Sequence, residues 1–217
     1  MVGTKGRIMG AIVAGVVVVL LGAWTAVGYT SAKGIETPQY TVVREADGYA
    51  IREYAGYIRA EVTLTGKYRE TLYGGFREVA DYIFGNNSQR ADIAMTAPVM
   101  SEKSGKIAMT APVLHEKGDS EASYSVAFIM PREYSMETLP RPNNPKVRLR
   151  EIVSQRFAVL EFGGYATERR ARKKTERLVS MLERDGVRAV GEPIVAQYDP
   201  PWTPFYMRRN EIHVPVE

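Results

Sequence analysis

The chain has no cysteine, two histidines and two tryptophans among 217 residues. The lack of cysteine excludes disulfides, thiolate nucleophiles, cysteine-held zinc and iron–sulfur clusters together. Whatever folds here is held by packing alone. Spaced histidine pairs of the zinc-binding kind are missing, as are glycine-rich phosphate loops and serine nucleophile elbows. No enzyme constellation emerges. Charge of one sign is scarce too: beyond residue 7, 27 lysines and arginines face 25 acidic residues, a net of +2. That balance argues against a nucleic-acid partner.

One long apolar run is present. Residues 8–27, IMGAIVAGVVVVLLGAWTAV, are twenty positions without a charge. At helical rise they span about 30 Å, the thickness of a hydrocarbon core. Lys5 and Arg7 precede the run and no acidic residue does, so the N-terminus is expected to stay in the cytoplasm. Trp24 and Tyr29 would then sit near the outer interface. A cleaved secretory signal is the alternative, but signal cores run only about 7–15 residues, and the exit at Thr30-Ser31-Ala32 is mediocre. The reading is a cytoplasmic stretch 1–7, a single-pass anchor 8–27, a polar tether 28–39, and one domain, 40–217, outside the cytoplasm beside a lipid bilayer.

Seven residues, IAMTAPV, occur at 93–99 and again at 107–113, fourteen positions apart. The duplication is expected to form an extra hairpin stroke within strands over 93–114, its tip at residues 101–106. Met95 and Met109 read as core filling rather than iron ligands. Pro98 and Pro112 cannot donate to a ladder, so strands end, bulge or lie at an edge there.

A weaker repeat sets the architecture. Arg44-Glu45 followed by Glu53-Tyr54-Ala55-Gly56-Tyr57 is echoed by Arg150-Glu151 followed by Glu161-Phe162-Gly163-Gly164-Tyr165. Each block alternates with the strand period, and Gly48 marks a turn. Each is followed by a helix. The first is expected over residues 67–84, with Leu72, Phe76, Val79 and Ile83 as its buried stripe and Gly74-Gly75 weakening its middle. The second is expected over 167–184, with Ala171, Thr175, Leu178 and Leu182. Strands are expected at 123–130, 193–198 and 207–216. The fold class is therefore α+β: a pseudo-twofold repeat forming a distorted antiparallel β-barrel or curved sheet, both helices on one side, preceded by one transmembrane helix.

Four stretches, in order, resemble the SOUL haem-binding family: Tyr57, Tyr82-Ile83-Phe84-Gly85-Asn86-Asn87 leading into residues 93–99, Phe162-Gly163-Gly164-Tyr165, and Tyr198-Asp199-Pro200-Pro201 with Pro204 and Arg208-Arg209-Asn210-Glu211. The resemblance implies a distorted barrel flanked by two helices and non-covalent binding of haem or another tetrapyrrole. It implies a ligand surface along the first domain helix and the loop before the last strand, here Tyr73, Phe76, Ala80 and Trp202. Phe76 and Ala80 stand where the family has helix methionines.

Histidine is the natural haem-iron ligand. If one ligates, His115 is chosen, because it follows the second repeat copy. His213 alternates with Ile212 and shares a face with Glu211, a face expected to be solvent. The second helix carries Arg169, Arg170, Arg172, Lys173, Lys174 and Arg177 against Glu168 and Glu176. That is an anion surface for lipid headgroups or propionates, or an ordinary solvated face. The run YDPPWTPF at 198–205 is either a pocket wall with Trp202 over a flat ligand or a plug for the barrel end. One of Arg208 and Arg209 is expected to pair with a buried carboxylate, such as Glu53 or Glu161, in a structural role. The leading function is a membrane-anchored tetrapyrrole binder. The alternative is a non-haem interaction module gripping the membrane through the basic helix.

Overall fold

The computed structural model describes residues 4–32, 35–103 and 122–217. Its first element is α1 (Thr4–Ala32), 29 residues long. Within it Met9–Thr30 is long and apolar enough to cross a membrane, with mean hydropathy 2.3. Nine strands follow: β1 (Tyr40–Ala46), β2 (Tyr49–Tyr54), β3 (Tyr57–Thr65), β4 (Val99–Lys103), β5 (Ser123–Ile129), β6 (Arg148–Ile152), β7 (Gln155–Gly163), β8 (Ile194–Gln197) and β9 (Arg209–Pro215). Helices α2 (Tyr68–Ile83) and α3 (Glu168–Arg184) follow β3 and β7. Both lie within a residue or so of the sequence expectation. Gly48 makes the β1–β2 turn at φ +88°.

All nine strands form one antiparallel sheet in the order β1-β2-β7-β9-β8-β4-β5-β3-β6, curled into a half-barrel. The order exposes the repeat. The units β2-β3-α2-β4-β5 and β6-β7-α3-β8-β9 are related across the β4–β8 seam, and they exchange their first strands. β2 pairs with β7 and β6 pairs with β3. Neither half can close its sheet without the other, which makes the pair one domain.

Strand alternation sends every second residue to the helices. Ala60, Val62, Val126 and Phe128 pack under Val79 and Ile83 of α2. Ala158, Leu160, Ile212 and Val214 pack under Ala171, Leu178 and Leu182 of α3, with Met181 joining them. The α2 glycines have a packing reason. A Cβ on Gly75 would stand 2.6 Å from Val126 Cβ, so the bare backbone lets the helix lie down on β5.

The duplicated segment departs from expectation. Residues 93–98 are irregular chain, and β4 starts directly after Pro98. A residue with no N–H cannot enter a strand paired on both sides, as β4 is by β5 and β8. Ser101 and Lys103 therefore extend that strand rather than turn a hairpin tip. The second copy, residues 107–113, and His115 lie outside the described residues.

Candidate functional site

The inner face of the half-barrel carries a polar centre on β9. The Glu211 side chain is fully buried and accepts four donors: His213 Nε2 at 2.7 Å, Tyr198 hydroxyl at 2.6 Å, Arg52 Nη1 at 2.9 Å and Arg209 Nη2 at 2.6 Å. A carboxylate only accepts, so His213 carries its proton on Nε2. Burial alone would raise the Glu211 pKa. The bonds and charge from His213, with Tyr198 and Arg52, instead hold it far below the ordinary carboxylate range. Burial lifts the Tyr198 hydroxyl well above the usual phenol value, and the Glu211 charge lifts it further.

The expectation that Glu211 and His213 share a face holds, but that face is not solvent. β9 lies between β7 and β8 in a sheet that curls over it, and His213 is 0% exposed. Tyr54 and Phe157 stack against its ring at 5.4 and 5.5 Å. It therefore cannot reach a surface ligand without opening the core. Arg209 also meets Glu161 at 3.2 Å, but that carboxylate is exposed; the buried carboxylate expected for one of the two arginines is Glu211, at 2.6 Å, and Glu53 pairs with Arg156. Saturated with donors, this centre is a structural clamp joining β2, β8 and β9. Among the described residues no group of three or more acidic or histidine side chains could hold a metal.

The candidate ligand surface lies on the outer side. Tyr73 projects from α2, 56% exposed, with Arg69 over its ring at 5.6 Å. Phe76, one turn on, is half-buried against Phe128, ring centres 5.3 Å apart. Ala80 is buried. Phe84, just past the helix end, is 62% exposed and extends the stripe by one further turn. The 3.6-residue period carries that signal, since 73, 76, 80 and 84 share a side, but Phe84 is not among the residues that the family resemblance names. The chain then returns beside the helix end, where Ile93 donates to the Ile83 carbonyl at 2.7 Å. A cavity of about 40 Å³ near Tyr57, Thr96 and Ile129 has room for water only, against the ~300 Å³ or more of a typical ligand pocket.

Trp202 belongs to a different neighbourhood. It sits in the connection from β8 to β9, and its carbonyl accepts from Trp24 Nε1 of α1 at 2.7 Å. Thr25 Oγ1 and the Tyr206 hydroxyl lie 2.6 Å apart. Arg208 ties the connection together, donating to the carbonyls of Pro201 and Thr203 and stacking on Tyr165 at 4.6 Å. Tyr165 leads into α3, whose exposed Arg169, Arg172 and Lys173 form an open cationic patch with Glu176. Burial lowers the Lys174 pKa, and Arg177, Arg170 and Lys173 lower it further, the signature of excess positive charge on this face.

The family model described as SOUL heme-binding protein matches residues 35–105 and again 100–215. The first match contains one IAMTAPV copy and the second contains the other. Heme-binding protein 1 of Sus scrofa is 27% identical over 183 residues, covering 82% of this chain and 91% of that one. Heme-binding protein 2 of Homo sapiens is 25% identical over 162 residues, covering 72% and 74%. Of solved structures, the EcmrR C-terminal domain superposes with TM-score 0.58 at 13% identity, covering 82% of this chain and 98% of that one. At that identity the likeness is one of fold.

Proposed function

The chain belongs to the SOUL heme-binding family, and on that premise we propose that it binds haem or a related flat tetrapyrrole reversibly along α2, while α1 holds it in a membrane as a retained anchor with its N-terminus in the cytoplasm. The observation that carries the binding reading is the α2 stripe, with Tyr73 and Phe84 exposed either side of half-buried Phe76. Such a ledge binds a planar guest by apolar contact, at about 25 cal/mol per Å² removed from water. Arg69 and Arg77 stand on the same side of the helix, where they would meet ligand carboxylates. The guest lies on the surface, held by stacking rather than enclosure. The anchor reading is supported by the uncharged span Met9–Thr30 and by Lys5 and Arg7 before it.

Haemin titration of the full chain in lipid nanodiscs tests the binding reading. A saturable Soret shift is expected, weakened about tenfold, or ~1.4 kcal/mol, by Tyr73→Ala with Phe84→Ala. No saturable shift in the unmutated chain defeats it. The cationic patch on α3 favours a second reading, an interaction module gripping anionic lipid. Flotation of residues 35–217, freed of α1, on anionic liposomes with Arg172→Glu and Lys173→Glu separates the two, since only the second predicts binding that the reversals abolish in a domain that never took up haemin.

A further inference from the structure

The connection between β8 and β9 leaves little of its backbone needing water. Five consecutive carbonyls, from Pro200 to Pro204, all accept a hydrogen bond. Thr203 N–H donates to Pro200 and Met207 N–H to Pro204, at 3.1 and 3.0 Å. Arg208 donates to Pro201 and Thr203, and Trp24 donates to Trp202. Pro200, Pro201 and Pro204 have no N–H to satisfy. Irregular backbone is costly at membrane depth because each unsatisfied polar group costs several kcal/mol there. This loop has removed most of that cost. Its aromatic side chains stay open: Trp202, Phe205 and Tyr206 are each more than half exposed, three together on one loop.

Their depth follows from what they touch. Trp24, Thr25 and Gly28 lie inside the apolar span Met9–Thr30. At helical rise they stand about 9, 8 and 3 Å from its Thr30 end. The loop is bonded to the first two and packed on the third, where a Cβ on Gly28 would stand 2.6 Å from Pro204 Cδ. A segment held at that height meets the headgroup boundary, the level at which tryptophan and tyrosine rings are favoured.

We propose that residues 200–207 are a second membrane contact, an aromatic loop immersed in the outer boundary of the same leaflet that α1 leaves. The loop fixes the pose of the domain on the bilayer. Trp202 faces lipid rather than the α2 ledge, and the cationic start of α3, tied to the loop through Tyr165 and Arg208, faces the headgroups. This rests on the reading of α1 as a retained anchor.

The two tryptophans make the test direct. The full chain is reconstituted in phosphatidylcholine–phosphatidylglycerol vesicles carrying lipid brominated high on the acyl chain. Trp24→Phe leaves Trp202 as the sole reporter, and Trp202→Phe leaves Trp24. Bromolipid is expected to quench Trp202 by half or more, with aqueous iodide at least fivefold less effective than on the unfolded chain. Quenching of Trp24 alone overturns the loop contact and leaves the anchor standing. Quenching of neither overturns both. Because Trp24→Phe removes a bond to the loop, a nitroxide on Phe205→Cys in the otherwise unmutated, cysteine-free chain repeats the measurement. Oxygen there should relax the label more than a water-soluble nickel chelate does, and the reverse overturns the proposal.

Discussion

The indole nitrogen of Trp24 donates to the main-chain carbonyl of Trp202 at 2.7 Å, joining the chain's two tryptophans across 178 positions of sequence. That bond needs the loop to lie close against α1, and Gly28 is what permits the approach. Gly28→Val would place methyl groups inside Pro204, which cannot swing aside because its ring is fixed. The expected outcome is a displaced loop on a domain that remains folded. Trypsin checks it: cleavage after Arg208, whose side chain now staples two carbonyls, should quicken several-fold, while cleavage within α3 stays at its original rate.

The central glycines of α2 separate two effects that sequence alone lumps together. Replacing either by alanine gains up to about 1 kcal/mol of helix propensity. At Gly75 the new methyl meets Val126 Cβ and Cγ2 at 2.6 Å, beside strand backbone that cannot retreat, and overpacking costs about 1–3 kcal/mol. At Gly74 it meets only Leu64 Cδ1 at 3.0 Å, the free end of a flexible side chain. Gly75→Ala should therefore destabilise by about 1–2 kcal/mol, and Gly74→Ala should stabilise by about 0.5 kcal/mol. Urea unfolding of both variants in one detergent decides the signs.

Those glycines also mark how far the sequence could be read. Periodicity located α2 and α3 to within a residue or so, because each has one apolar stripe against one sheet. The echo between the 44–57 and 150–165 blocks revealed the pseudo-twofold repeat. It could not reveal that β2 and β6 change places, since exchanged and unexchanged pairings bury the same alternating residues. Glu211 and His213 were assigned to one face correctly and to solvent wrongly. Alternation tells which residues share a face, but only curvature tells whether that face is wet. The Trp24–Trp202 bond had no local signal at all, because it joins segments distant in sequence.

Glu211 gives the clearest dependence on pH. Its folded pKa lies below the unfolded carboxylate value of about 4.3. Its contribution is therefore fully present above that value and is lost as pH falls from there toward the folded pKa. Stability should stay level from pH 7 to about 5 and decline below. Glu211→Gln should cost about 2–3 kcal/mol at pH 7, because half-buried Arg52 and the more exposed Arg209 lose the charge that offsets them. The variant should also lose the part of the acid decline that this carboxyl causes. Denaturant melts of both chains from pH 3 to 7 test the pair of claims, and parallel acid limbs would refute the assignment to Glu211.

The repeat runs past its seven identical residues. The first copy continues as Met100-Ser101-Glu102-Lys103 and the second as Leu114-His115-Glu116-Lys117. Two deletions of fourteen residues therefore each leave one copy and a plausible β4. Removing residues 104–117 keeps Ser101, which is 3% exposed and donates its hydroxyl to the Val195 carbonyl at 3.5 Å. It also leaves Gly118-Asp119 close behind Lys103, where a hairpin turn favours those residues. Removing residues 100–113 instead puts His115 where Ser101 was, a ring in the space of a hydroxymethyl. The first deletion should unfold within about 1 kcal/mol of the full chain, since the length of a connection changes closure entropy only slowly. The second should be weaker than the first by about 1–3 kcal/mol of overpacking. His115→Ser in the second background should restore the difference. Equal stabilities for the two deletions would mean that β4 accepts either copy without regard to the size of the side chain buried at position 101.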